Sequence, residues 1–262
     1  MDLIASPTFW ILAPIAVILV GIAKAGFGGG VGIAAVPIFI TAVGDPKVAV
    51  GMMLPVLCVC DWFSLYHYRQ TFDKHQLAVM LPGCLLGIAG ASFFIGAISA
   101  AQMKFGIGII ALLFVIYQVG KEWLMKELAA YRPSDWHGWL FGFGVGVTST
   151  FAHAAGPVAT MYLFPQKMGR RLYVGTTVVL FTLVNATKLI PYTLLDMLDL
   201  QRLSTSLLLL PFVPVGTLLG VWMNKHMRED VFSAVIYGLI FLAGINYTLG
   251  WDPLSYVMGV SA

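Results

Sequence analysis

An all-α integral membrane fold, built as two inverted-topology repeats of about five helical segments each, is the architecture this sequence predicts. Three observations lead there. Of 262 residues, 59% are hydrophobic and only 10% are charged, with a mean hydropathy of +0.88, a balance that a water-soluble core of ordinary composition does not reach. Apolar runs follow one another along nearly the whole chain, separated by short polar or proline-containing joints. Finally, the glycine-rich interruption Lys24-Ala-Gly-Phe-Gly-Gly-Gly-Val-Gly-Ile-Ala-Ala-Val-Pro37 has a partner about half a chain later, Gly142-Phe-Gly-Val-Gly-Val-Thr-Ser-Thr-Phe-Ala-His-Ala-Ala-Gly-Pro157.

The first run, near residues 9–25, follows Met1-Asp-Leu-Ile with no basic stretch ahead of it, so it is expected to stay as a segment and not to be cleaved as a signal peptide. A second run, near 28–43, starts inside the glycine tract. Runs near 48–67, 76–98 and 103–124 approach or exceed the ~20 residues that a full crossing needs. The second half opens with two short runs, near 137–152 and 154–165, joined at a histidine turn, and continues near 172–194, 206–224 and 231–250. The short pairs either cross as thin helices or dip in and return. The expected halves are residues 1–130 and 131–262.

Self-comparison supports a duplication. Gly32 and Gly51 stand at the same offset of 124 from Gly156 and Gly175, and so do Asp61 from Asn185 and Tyr68 from Tyr192. Further on, Leu81-Pro82 matches Leu210-Pro211 and Gly87 matches Gly216 at an offset of 129, which implies a small insertion. Five segments per copy is an odd number, and an odd repeat reverses its orientation in the membrane.

Charge is sparse and topological. A formal net charge of +3 is too small to suggest nucleic acid. With the joint after the third segment in the cytoplasm, ten lysines and arginines, among them Arg69, Lys121 and Arg171, lie inside. Only Lys47, Lys104 and Arg202 lie outside, as the positive-inside rule requires with both termini external. Cys58, Cys60 and Cys84 all fall in apolar runs and read as small core residues; no metal or cofactor is expected.

Polar groups inside the membrane cost ~2.5–3.5 kcal/mol for a central charge, so each needs a reason. Lys24 precedes the first glycine break, where freed amides of Gly28, Gly29 and Gly30 can hold an anion; its alternative is to snorkel to the interface. Lys188, in Asn185-Ala-Thr-Lys188, has apolar sequence on both sides and shares a helix face with Asn185, so it needs an anionic ligand or a carboxylate such as Asp61. Asp61 in turn is a candidate proton carrier, a neutraliser of a lysine or a cap. His153, at the second turn, is a candidate anion donor or proton carrier, or simply solvated. Thr148, Ser149, Thr150, Thr176 and Thr177, with Gly156, suit an oxyanion that accepts many hydrogen bonds, unless each hydroxyl bonds its own helix.

The two glycine-rich hairpins, with Gly175-Thr-Thr and Asn185-Ala-Thr-Lys188, resemble the TauE/SafE family of sulfite and organosulfonate exporters, also called toluene sulfonate uptake permeases. The likeness covers nearly the whole chain, and Phe-Ala-His153-Ala-Ala stands before Gly156 where a glycine run is usual. The resemblance implies a multi-pass carrier of the bacterial inner membrane that moves a small sulfur oxyanion or organosulfonate among membrane lipid, without enzymatic chemistry. Alternating access around a midplane site would fit it. An inside-negative potential favours anion exit by ~2.3 kcal/mol per charge per 100 mV, whereas uptake would need a co-transported cation, with Asp61 or His153 carrying protons. An anion channel or a structural membrane subunit is the alternative. An intramembrane serine protease pairing Ser149 with His153 is a weaker one, since no Gly-x-Ser-Gly sequence is present.

Overall fold

The computed structural model of the protein describes residues 6–24, 31–68, 70–131, 133–226 and 229–251, and among these no strand occurs. The first half contains α1 (Pro7–Lys24), a 3-10 turn (Val31–Ala34), α2 (Ala35–Val43), α3 (Pro46–Tyr68), α4 (Lys74–Ala97) and α5 (Ala100–Ala130). The second contains α6 (Asp135–Ala152), α7 (Ala155–Leu163), a 3-10 turn (Phe164–Gln166), α8 (Arg170–Leu194), α9 (Leu200–Leu208), α10 (Phe212–His226) and α11 (Glu229–Leu249).

Local chemistry sets the boundaries. The Asp73 carboxylate accepts the amides of His75 and Gln76 at the start of α4, and Ser99 with Gln102 forms a reciprocal capping box at the start of α5. Helix α6 stops at His153, whose backbone is left-handed with φ 51°. The run expected near 206–224 is not one helix. Asp199 starts α9 early by accepting the Arg202 amide, and Pro211 lacks the amide needed to carry it onward, so α9 and α10 meet at a 43° bend.

Helices α3, α4, α5 and α8 are long and apolar enough to cross a bilayer, and the bent α9–α10 pair makes a fifth candidate. Large apolar side chains face outward at full exposure, Phe93 at 83% and Val119 at 82%, which is stable only against lipid. This is a multi-pass membrane protein. Both short pairs return on themselves. Gly138 near the start of α6 faces Tyr162 near the end of α7, while Gly144 faces Val158; Phe9 of α1 meets Phe39 of α2 edge-on at 6.4 Å. An antiparallel helical hairpin opens each half.

Four helix pairs build the interior: α6 on α4, α1 on α10, α3 on α8 and α5 on α11. Glycines allow the backbones to touch. A Cβ on Gly87 would come within 2.2 Å of the Phe143 carbonyl, and one on Gly216 within 2.3 Å of the Ile18 carbonyl. On α3, Gly51 abuts the Met197 carbonyl after α8, and on α8, Gly175 abuts the Thr71 carbonyl after α3.

Candidate anion cavity

Between α3 and α8 lies a cavity of about 490 Å³. Its α3 wall is Met53, Leu57, Asp61, Ser64 and Tyr68, and its α8 wall Arg170, Val174, Thr177 with Val178 beside it, Phe181 and Asn185. Both series repeat every three or four residues, so each is a single helix face. Hairpin α6–α7 contributes Ser149, His153 and Gly156, and hairpin α1–α2 contributes Val20, Ala23 and Gly32. At ~1.5 Å per residue the α8 wall is about 22 Å long, running from the start of that helix to Asn185.

At the inner end, Asn185 Nδ2 donates to Asp61 Oδ2 at 2.6 Å. These are the two residues that the 124-residue offset equates. Both are buried, at 7% and 1% exposure, and such a buried hydrogen bond contributes ~0.5–1.5 kcal/mol.

Beyond this pair the cavity is closed by a second polar cluster. Lys188, fully buried, directs Nζ to the Ser149 carbonyl at 3.1 Å, the Ser149 Oγ at 2.9 Å and the His153 Nδ1 at 3.0 Å. Three donors meet three acceptors, which is the full capacity of an ammonium. His153 Nε2 donates to the Val50 carbonyl of α3 at 3.0 Å, so its ring proton sits on Nε2 and Nδ1 receives from Lys188. One turn on, the Tyr192 hydroxyl donates to the Thr150 carbonyl at 2.7 Å. Two side chains of α8 thus satisfy the last carbonyls of α6, where the helix dipole favours a cation.

The cavity unites four residues expected from sequence, His153, Gly156, Thr177 and Asn185, with Asp61 beside them. Lys188 and Thr176 stand elsewhere: Lys188 lies behind the wall that Ser149 and His153 form, and Thr176 donates to Leu172 O while accepting the Asp73 amide. Thr148, Thr150 and Thr177 also donate to carbonyls three or four residues back. The threonine protons are committed to their own helices, because in apolar surroundings that carbonyl is the nearest acceptor. Ser149 differs, since its oxygen accepts from Lys188 and leaves its own proton to donate. The Lys24 side chain and Gly28, Gly29 and Gly30 lie outside the described residues. Arg170 was missed as a site residue; counting back from Asn185 by helical turns along α8 reaches it.

Helical hairpins within an apolar, multi-pass bundle enclose a largely apolar cavity that carries polar groups along its length. The chain belongs to the TauE/SafE sulfite exporter family: the family model described as sulfite exporter TauE/SafE matches residues 13–247. That is a family of transporters, not of enzymes, and its members export sulfite-type anions. No curated protein and no solved structure matches the chain.

Proposed function

We propose that the protein is a secondary carrier of sulfite or small organosulfonates in the bacterial inner membrane, working by alternating access around the cavity between α3 and α8. The observation that carries this reading is the Asp61–Asn185 hydrogen bond. Two positions equated by an internal repeat touch each other only on the axis that relates the copies, as in an isologous interface. The reciprocal contacts of Gly51 and Gly175, and of Gly87 and Gly216, support the same two-fold relation between residues 1–130 and 131–262. With the positive-inside orientation, that relation is an inverted repeat, and the Tyr68–Arg170 end of the cavity opens to the cytoplasm.

In this scheme the anion meets Arg170 first, whose planar guanidinium suits a bidentate oxyanion. It then moves inward to the Ser149 hydroxyl, the amides at the start of α7 by Gly156, and Asn185. Thr177 shapes the wall, and Lys24 with the glycines from Gly28 to Gly30 are proposed from the sequence as further substrate contacts. Asp61 is the better proton-coupling candidate, because both ring nitrogens of His153 are committed to Val50 and Lys188. The test is uptake of sulfite, sulfate, thiosulfate, taurine and sulfoacetate into liposomes holding the purified protein alone. Saturable flux of at least one anion, reduced tenfold or more in Asn185→Ala, is expected; flux unchanged by that substitution would remove the cavity from the pathway.

A further inference from the structure

We infer that Lys188 is a positioning residue that holds hairpin α6–α7 shut at the end of the cavity opposite Arg170, and that Ser64, its counterpart at the 124-residue offset, does not hold the first half in the same way, so the carrier rests open toward Arg170. This rests on the alternating-access reading. Three features argue for it.

The first is saturation. Every donor of the Lys188 ammonium has a protein acceptor, and two of those acceptors belong to the last turn of α6. A substrate anion would have to displace Ser149 or His153 to reach it. The second is direction. Lys188 and Tyr192 lie one and two turns beyond Asn185 on α8, away from Arg170, and His153 reaches across to Val50 on the N-terminal part of α3. The contacts therefore bind α6, α8 and α3 together on one side of the Asp61–Asn185 pair only.

The third is asymmetry. At the 124-residue offset, Lys188 corresponds to Ser64, His153 to Gly29 and Tyr192 to Tyr68. Ser64 Oγ donates to Cys60 O of its own helix, whereas Ser64 and Tyr68 line the cavity. Exchanging the conformations of inverted copies converts one open face into the other. Under that exchange the Asp61–Asn185 bond maps onto itself and persists, while the positions of Lys188 and His153 are taken by Ser64 and Gly29, which carry neither an ammonium nor an imidazole. The closure facing the Lys188 end is thus the more stable of the two, and a shift of population follows from that difference alone.

Sidedness of labelling tests this without a known substrate. Leu57→Cys, on the cavity face of α3 between Val50 and Asp61, is placed in a background with Cys58, Cys60 and Cys84 replaced by alanine. A membrane-impermeant thiol reagent is then applied to right-side-out and to inverted vesicles. With Lys188 intact, labelling from the Arg170 side is expected to exceed labelling from the other side at least tenfold. Lys188→Met should raise the rate from the far side at least tenfold and lower it from the Arg170 side. The milder Tyr192→Phe, which removes one hydroxyl, should move both rates in the same directions by two- to threefold.

A sidedness unmoved by both substitutions overturns the latch, and so does an equal rise on both sides, which marks general loosening. Labelling at comparable rates from both sides before any substitution at Lys188 would instead sink alternating access itself, and the latch with it.

Discussion

The stretch from Cys60 to Tyr68 in α3 and the stretch from Val184 to Tyr192 in α8 occupy equivalent positions in the two halves, yet they behave differently. In α8, past the cavity-lining Asn185, Lys188 and Tyr192 turn away from the cavity and are bonded to hairpin α6–α7: Lys188 to Ser149 and His153, Tyr192 to Thr150. In α3 the corresponding Ser64 and Tyr68 line open space. Duplicated helices have kept one shared contact, Asp61 with Asn185, and have diverged one turn later. A repeat can fix the axis of a carrier while its side chains decide which face is closed.

The comparison breaks most severely where both halves depend on bare backbone contact. A Cβ at Gly175 would stand 1.6 Å from the Thr71 carbonyl, and one at Gly51 2.1 Å from the Met197 carbonyl. Gly175→Ala and Gly51→Ala should each exceed the ~1–3 kcal/mol typical of overpacking and abolish the monodisperse peak in detergent size-exclusion runs. Gly120→Ala, with nothing within 4 Å, should leave that peak intact.

A smaller effect separates the halves. Lys188→Met strips the donor from three buried acceptors and is expected to destabilise by ~1–3 kcal/mol in thermal melts. Ser64→Ala at the equivalent position removes one bond within its own helix and should stay within about 0.5 kcal/mol. Equal losses would erase the distinction between the two stretches. Smaller again, Tyr192→Phe should cost about 1 kcal/mol in the same melts, the contribution of its hydroxyl to the Thr150 carbonyl.

Much of this was legible in the sequence. The alignment of Asp61 with Asn185, read from an offset, became a hydrogen bond; the interrupted glycine tract from Gly142 to Pro157 became a hairpin turning at His153. The role of Lys188 was not legible, because a run of letters shows that a buried ammonium needs partners but not that its own half supplies all three. Arg170 was counted only as a cytoplasmic charge, although it shares a helix face with Asn185. The threonines misled for a related reason: a hydroxyl in a helix always has a carbonyl one turn back, and here Thr148, Thr150, Thr176 and Thr177 all use it. Pro211 marked the α9–α10 break, but the apolar residues around it masked the interruption.

Counterflow separates a carrier from a continuous pore. Liposomes containing the protein are loaded with unlabelled sulfite and diluted into a trace of labelled sulfite. A cavity served alternately from two sides predicts that label rises transiently above its equilibrium level inside and then falls back, and that Asn185→Ala flattens the overshoot. Label that only climbs to equilibrium, with no overshoot at any loading that supports flux, would mean a continuous pore and would contradict the account.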